Sequence, residues 1–109
     1  MSKAILDSSV IIALSTLGYI NRLKQIFREV LTPRAVYEEI CVRGCGLIGE
    51  RELLEAAKND LIIVKDVKNR LLVNALLEPL AIGEAETIAL TVEERADHIV
   101  TDDKLARRR

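Results

Sequence analysis

The opening stretch of this chain constrains its fold more than any other. Ala4-Ile5-Leu6 is a short apolar run, Asp7 follows it, Ser8-Ser9 breaks it, and Val10-Ile11-Ile12-Ala13-Leu14 resumes the apolar character. A buried strand that ends in a carboxylate and turns through two serines into a helix puts Asp7 at the carboxyl edge of a sheet. Open α/β sheets bind their ligands at that edge. Asp7 is therefore expected to be the first carboxylate of an acidic, metal-holding pocket, and its partners are to be sought further along the chain.

The rest of the sequence alternates in the same way. Residues 3–6 read as a strand and about 9–17 as a helix ending near Gly18. Tyr19 to Arg28 reads as a second helix, with Ile20, Leu23, Ile26 and Phe27 on one face. Val30-Leu31 is a short strand. Thr32 as N-cap and Pro33 in the first turn predict a third helix to about Val42. Arg43 to Gly49 is a glycine-rich loop, and Glu50 to Asn59 is helical with Leu53, Leu54 and Ala57 as its buried stripe. Leu61-Ile62-Ile63-Val64 has the continuous β-rich character of a strand buried on both faces. Helices are expected over Lys68–Glu78, stopping at Pro79, and from Gly83 to about Arg95, and a last strand over His98–Thr101 with Asp102-Asp103 at its carboxyl end. Strands alternating with helices predict an α/β fold with a mainly parallel sheet.

Composition limits what such a sheet can do. With 109 residues, half of them apolar, the chain suits one globular domain with a single core. Aromatic residues are confined to Tyr19, Phe27 and Tyr37, too few for a base-stacking platform. The formal net charge of −1 gives no global attraction to nucleic acid, and basic character is local: Arg22, Lys24 and Arg28, and Arg107 to Arg109. No signal peptide and no run of apolar residues long enough to span a membrane are seen. Cys41 and Cys45 then read as reduced thiols of a cytoplasmic protein.

Asp7 and the pair Asp102/Asp103 occupy the same position at two strand ends, so parallel strands bring them to one edge. Two helices offer further acids. In Pro33 to Ile40 the apolar anchors are Val36 and Ile40. At about 100° per residue, Glu39 faces inward with them and Glu38 faces solvent. In the helix from Gly83, Ala85, Ile88, Ala89 and Val92 form the expected stripe, flanked by Glu84 and Glu86 on opposite sides. Glu84 is preferred because it lies in the first turn, nearer the loop edge. Two carboxylates about 5 Å apart repel by roughly 3 kcal/mol at an effective dielectric near 20. Four converging acids thus require cations, and oxygen-only ligands suit Mg²⁺ or Mn²⁺. Such a site activates water for in-line attack on a phosphodiester.

These segments carry a resemblance. Leu6-Asp7-Ser8-Ser9 resembles the opening of PIN domains, a metal-dependent nuclease family that includes the toxins of many prokaryotic toxin–antitoxin pairs. Pro33-x-x-Val36-x-x-Glu39-Ile40 is similar to the second acidic motif, Gly83-Glu84-Ala85-Glu86-x-Ile88-Ala89-Leu90 to the third, and Val100-Thr101-Asp102-Asp103 to the fourth. The motifs follow in order over essentially the whole chain. The resemblance implies a three-layer α/β fold in which Asp7, Glu39, Glu84 and Asp103 are the catalytic acids and metal ligands. Asp102 is a substitute or additional ligand, and Ser9 and Thr101 are supporting hydroxyls. It further implies hydrolysis of RNA, a homodimer and an antitoxin partner. The family usually continues past the fourth motif through a helix to a final edge strand, so residues 1–109 are expected to form a single PIN-like domain that either is C-terminally truncated or continues in a tail outside this sequence. A non-catalytic RNA-binding or protein-interaction module of the same fold is the alternative.

Three other signals carry less. Gly44-Cys45-Gly46-Leu47-Ile48-Gly49 spells GxGxxG, with Asp66 some twenty residues later, but a dinucleotide fingerprint needs a buried strand before it. Pro33, Arg34, Glu38 and Glu39 suit a helix there instead. Cys41, Cys45 and His98 lack a fourth ligand at zinc spacing. The apolar helix containing Leu71, Leu72, Ala75 and Leu76 presents a wide core face, or a surface for a second copy or an antitoxin.

Overall fold

A computed structural model describes residues 3–44 and 46–100. Its frame is a four-stranded sheet in the order β3-β2-β1-β4, formed by β1 (Lys3–Leu6), β2 (Glu29–Pro33), β3 (Ile63–Lys65) and β4 (His98–Val100). Every pairing is parallel: Ile5 lies opposite Leu31 and Ile99, and Leu31 lies opposite Ile63. All four carboxyl ends therefore point to one edge.

Helices cover both faces, giving three layers. On one face lie α1 (Ser8–Leu17), a 3-10 turn (Ile20–Arg22), α2 (Leu23–Ile26), α3 (Arg34–Glu38) with its wider π-type continuation Glu39–Arg43, and α4 (Glu50–Lys58). Leu6, Val10, Ile11, Val36, Ile40, Leu53 and Ile62 close the core there. On the other face α5 (Arg70–Leu76) and α6 (Ile82–Glu94) pack Val73, Ala85, Ala89 and Leu90 against Ile5 and Leu31. The alternation of β1 explains the arrangement, since Ile5 and Leu6 project to opposite faces. Each is fully buried, as expected of a central parallel strand.

Several local expectations are corrected. The helix expected over Tyr19–Arg28 is only the 3-10 turn and the single turn α2. Thr32 is not an N-cap: β2 runs on to Pro33, and the buried Thr32 hydroxyl donates to the Leu6 carbonyl at 2.9 Å. Leu61–Val64 is not a strand buried on both faces. The strand is Ile63–Lys65 at the sheet edge, with Ile63 exposed, and Ile62 before it is the core residue. On α4 the buried pair is Leu53 and Ala56, with Leu54 turned outward.

Glu94, near the end of α6, ties the layers together. Its carboxylate accepts from Lys65 at 2.8 Å and from Lys3 at 3.1 Å. The Lys65 hydrogen bond holds this carboxyl below the usual glutamate value, against the opposing effect of burial and with help from Lys3. Lys3 in turn is raised, first by its hydrogen bond to Glu94. The Glu94 contribution to stability is present above the pKa of an unfolded glutamate and is lost as pH falls through the lower folded value. The Lys3 contribution is present below the ordinary lysine value and is lost as pH rises through the raised one. Urea midpoints of wild type and Glu94→Gln are thus expected to differ most between these limits and to converge below about pH 4. A gap that widens on acidification would contradict this pairing.

Candidate metal and nuclease site

The sheet topology picks out one crevice. From β1 the chain moves outward through β2 and β3, then crosses the opposite face and returns to β4 on the other side of β1. The direction reverses between β1 and β4, and ligands of open α/β sheets sit at the carboxyl ends of such a switch point. Leu6 is paired with Val100, so Asp7 leaves β1 level with the carboxyl end of β4. The Thr32 hydrogen bond secures the last carbonyl of β1 and thereby fixes where Asp7 emerges.

Asp7 is the N-cap of α1. Its Oδ1 accepts from the Val10 N–H at 3.1 Å and from the Ser9 hydroxyl at 3.5 Å. A carboxylate at a helix amino end is favoured by the exposed N–H groups and the macrodipole. The Ser9 hydroxyl thus lies against the Asp7 carboxylate at the long limit of a hydrogen bond. Ser8, which the sequence reading passed over, makes the link to the second acid: its hydroxyl donates to Glu39 Oε2 at 3.3 Å.

Glu39 opens the π-type coil that follows α3. Such widened turns recur at functional sites because they re-aim side chains. Glu39 is exposed, not inward-facing as the helical wheel indicated, yet its carboxylate is turned toward Ser8 and α6. A Cβ added at Gly83 would stand 3.1 Å from Glu39 Oε1. Gly83→Ala is expected to displace this carboxylate by a few tenths of an ångström. The fold should tolerate it, because alanine favours a helix over glycine by about 1 kcal/mol. Any activity of this edge should fall while the melting temperature holds or rises, as activity assays and calorimetry on the same preparation would show.

The third acidic position is where the structure departs most from the sequence reading. The buried face of α6 is Gly83, Ala85, Glu86, Thr87, Ala89 and Leu90, while Ile88 and Val92 are turned outward. Glu84 is exposed and accepts from the Ala81 N–H at 3.4 Å, closing its own helix start. Glu86 is 5% exposed. Its Oε1 accepts from the Ala35 N–H at 2.9 Å and its Oε2 from Arg70 at 2.7 Å. Of the two acids flanking the expected stripe, Glu86 is thus the one on the buried side of α6 and Glu84 the one on the outside. Of the expected stripe, Ala85 and Ala89 are buried and Ile88 and Val92 are not, and with Gly83 these small residues mark the face that packs closely. That run of small residues was the readable signal for Glu86.

Thr101, Asp102 and Asp103 lie outside the described residues, as does Cys45. Among the described residues no three His, Cys, Asp or Glu side chains gather into a group that could hold a metal ion. The donor chemistry at the edge nonetheless fits a hard divalent cation: Asp7 and Glu39 offer carboxylate oxygens and Ser8 and Ser9 hydroxyls. Cys41 is directed elsewhere, toward the Glu50 carbonyl at 3.8 Å. The segment before the glycine loop is helical, so the dinucleotide reading lacks its strand. Gly44 has a different reason: a Cβ there would lie 2.9 Å from the Glu39 carbonyl oxygen.

The parallel α/β sheet, with Asp7 at the end of β1, is the frame that the family comparison also identifies. The family DUF3368: PIN domain matches residues 3–109. The chain belongs to the PIN domain family. PIN domains are generally nucleases and typically use divalent metals. No curated protein and no solved structure matches the chain. Among the described residues no helix is long and apolar enough to cross a membrane.

Proposed function

We propose that this protein is a divalent-metal-dependent endoribonuclease acting in the cytoplasm as the toxin of a toxin–antitoxin pair. The observation that carries the reading is that Ser8, the residue after Asp7 at the switch point, donates to the Glu39 carboxylate of a separate element. Asp7, Glu39 and Asp103 would hold Mg²⁺ or Mn²⁺, with Asp102 an additional donor and Thr101 a supporting hydroxyl. When bound, the metal supplies charge neutralisation at the phosphodiester and an acidified water for hydrolysis. The third position is contributed by the first turns of α6, where Glu84 is the sequence preference and Glu86 the acid turned inward. Glu84→Gln and Glu86→Gln, compared at equal folded fraction, separate the two.

The chain's own residues do the positioning. The α1 amino end orients the Asp7 carboxylate through Val10. Ser8 donates to Glu39, and Gly83 leaves room for that carboxylate. RNA cleavage with Mg²⁺ or Mn²⁺, with and without EDTA, tests the proposal. A folded protein that shows no metal-dependent cleavage would remove the enzyme reading. A non-catalytic RNA-binding or protein-interaction role is the second reading. It is favoured by Glu86, whose two carboxylate oxygens serve Ala35 and Arg70. The partners proposed are RNA, a second copy of the chain and an antitoxin. Leu71, 83% exposed on α5, supports a protein contact there.

A further inference from the structure

The carboxyl edge of the sheet continues past the candidate metal site, and its chemistry changes there. Extending the β1–β2 register past Ile5 and Leu31 puts Pro33 level with Asp7, and Pro33 is paired with Lys65. Arg34 and Asp66 thus leave β2 and β3 side by side, and Arg34 Nε donates to Asp66 Oδ1 at 3.0 Å. With neighbouring strands about 4.8 Å apart, Arg34 starts one strand over from Asp7 and Asp66 two, a span of about 10 Å. The Arg34 guanidinium also lies 5.7 Å from the centre of the Tyr37 ring. Arg70 reaches the same edge from α5. The buried Glu86 carboxylate accepts from the Ala35 N–H through one oxygen and from Arg70 Nη1 through the other, which holds Arg70 beside the residue that follows Arg34.

Both guanidiniums are oriented and still accessible. The Arg34 side chain is 45% exposed and that of Arg70 51%. Each carboxylate engages one nitrogen, and among the described residues no other hydrogen bond uses either fork. The pairing fixes the plane of the fork while its remaining N–H groups stay available to an anion. An anionic strand on this edge needs such help. Asp7 and Glu39 repel it, and the formal net charge of −1 supplies no general attraction. The cluster of Arg22, Lys24 and Arg28 is badly placed for the task. The 10 residues of α1 carry the chain about 15 Å from Asp7, and Glu29, next after the cluster, begins β2 at the opposite edge.

We infer that Arg34 and Arg70 bind backbone phosphates of single-stranded RNA, one phosphate each, beside the phosphodiester presented to Asp7 and Glu39. The inference takes its substrate from the nuclease reading above. Neither phosphate reacts; the two arginines lay the strand along the edge through charge-assisted N–H···O bonds, which the planar fork suits better than an ammonium does. Phosphate contacts carry no sequence information, so the pair sets where the strand lies and not which sequence is cut.

Fluorescence anisotropy of a labelled oligouridine, titrated with the full chain in EDTA over a range of salt, tests the inference without cleavage. Saturable binding is expected, with each phosphate contact contributing about 0.7 to the slope of log K against log salt. Arg34→Gln and Arg70→Gln should each lower that slope by about 0.7 and weaken binding about tenfold at low salt. Arg34→Lys should keep the slope and still lose affinity, because the charge remains and the fork does not. Arg34→Gln gives up only an exposed pair and should stay folded, so it tests the inference even if Arg70→Gln, which strips the buried Glu86 of its partner, unfolds. Arg22→Gln combined with Lys24→Gln, at the opposite edge, should leave the slope unchanged. In cleavage assays with Mn²⁺ the arginine variants should raise KM about tenfold and leave kcat, as loss of uniform binding does. No saturable binding, a slope unchanged by Arg34→Gln, or an equal fall from the opposite-edge pair would overturn the inference. Metal-dependent cleavage with an unchanged slope would overturn it and leave the nuclease reading standing. A lowered slope without cleavage would do the reverse.

Discussion

Asp7→Asn is expected to leave the protein folded and to reduce metal-dependent RNA cleavage by at least about 100-fold, since even outer-shell partners of metal ligands are worth 10- to 100-fold. The substitution separates two roles of one side chain. As N-cap of α1, Asp7 accepts from the Val10 N–H. Asparagine retains that acceptor and ranks with aspartate as a cap. As a proposed metal ligand, Asp7 must supply a negative charge, which asparagine lacks. Circular dichroism and the melting temperature should therefore match wild type within about 1 kcal/mol while cleavage is lost. Asp7→Ala should lose cleavage too, with a further destabilisation of about 1 kcal/mol from the missing cap. Cleavage that survives Asp7→Asn would move the active site away from the switch point, whatever the family.

Glu86→Ala is expected to be among the most damaging single substitutions for stability. Pro33 precedes α3 and brings no side-chain acceptor, so the Ala35 N–H at the amino end of that helix is satisfied from α6 by Glu86. Truncation leaves this buried N–H unpaired and removes the charge-assisted bond with Arg70. An unsatisfied buried group costs about 1–3 kcal/mol and a hydrogen bond to a charged group contributes about 1.5–3. The Arg70 side chain is half exposed, which weakens its share. A total near 3 kcal/mol corresponds to a fall in melting temperature of roughly 12–24 °C for a domain of this size. Glu86→Gln keeps an acceptor for Ala35 and should lose about 1 kcal/mol. Equal destabilisation by alanine and glutamine would show that the charge on Arg70, rather than the cap on α3, is what matters.

These two variants also make the nuclease question answerable without ambiguity from unfolding. Asp7→Asn removes a proposed ligand from a protein that retains its cap, whereas Glu86→Ala changes a helix junction. Loss of activity in the first is chemical. In the second it follows the folded fraction unless Glu86 also meets the metal, in which case Glu86→Gln should lose cleavage despite remaining folded.

Sequence alone determined the class of fold and the place of Asp7. A buried run cannot carry a carboxylate through its centre, so β1 had to end at Leu6 and Asp7 had to stand at the sheet edge. Alternating elements, each long enough to cross the sheet, then required parallel strands and two covering layers. Tertiary structure decided which face of α6 is buried and what its acids do. The apolar period took in Ile88 and Val92 with Ala85 and Ala89, but α6 packs through Gly83, Ala85 and Ala89 against α3 and β1, a proximity that larger residues would prevent. That close approach turns Glu86 inward to Ala35 and leaves Glu84 to close its own helix. The Ser8–Glu39 contact was equally beyond sequence periodicity, because it joins residues 31 apart and depends on the π-type widening that re-aims Glu39. Local spacing specifies a residue's position on its own helix, whereas the neighbour it meets is set by how closely two helices can approach.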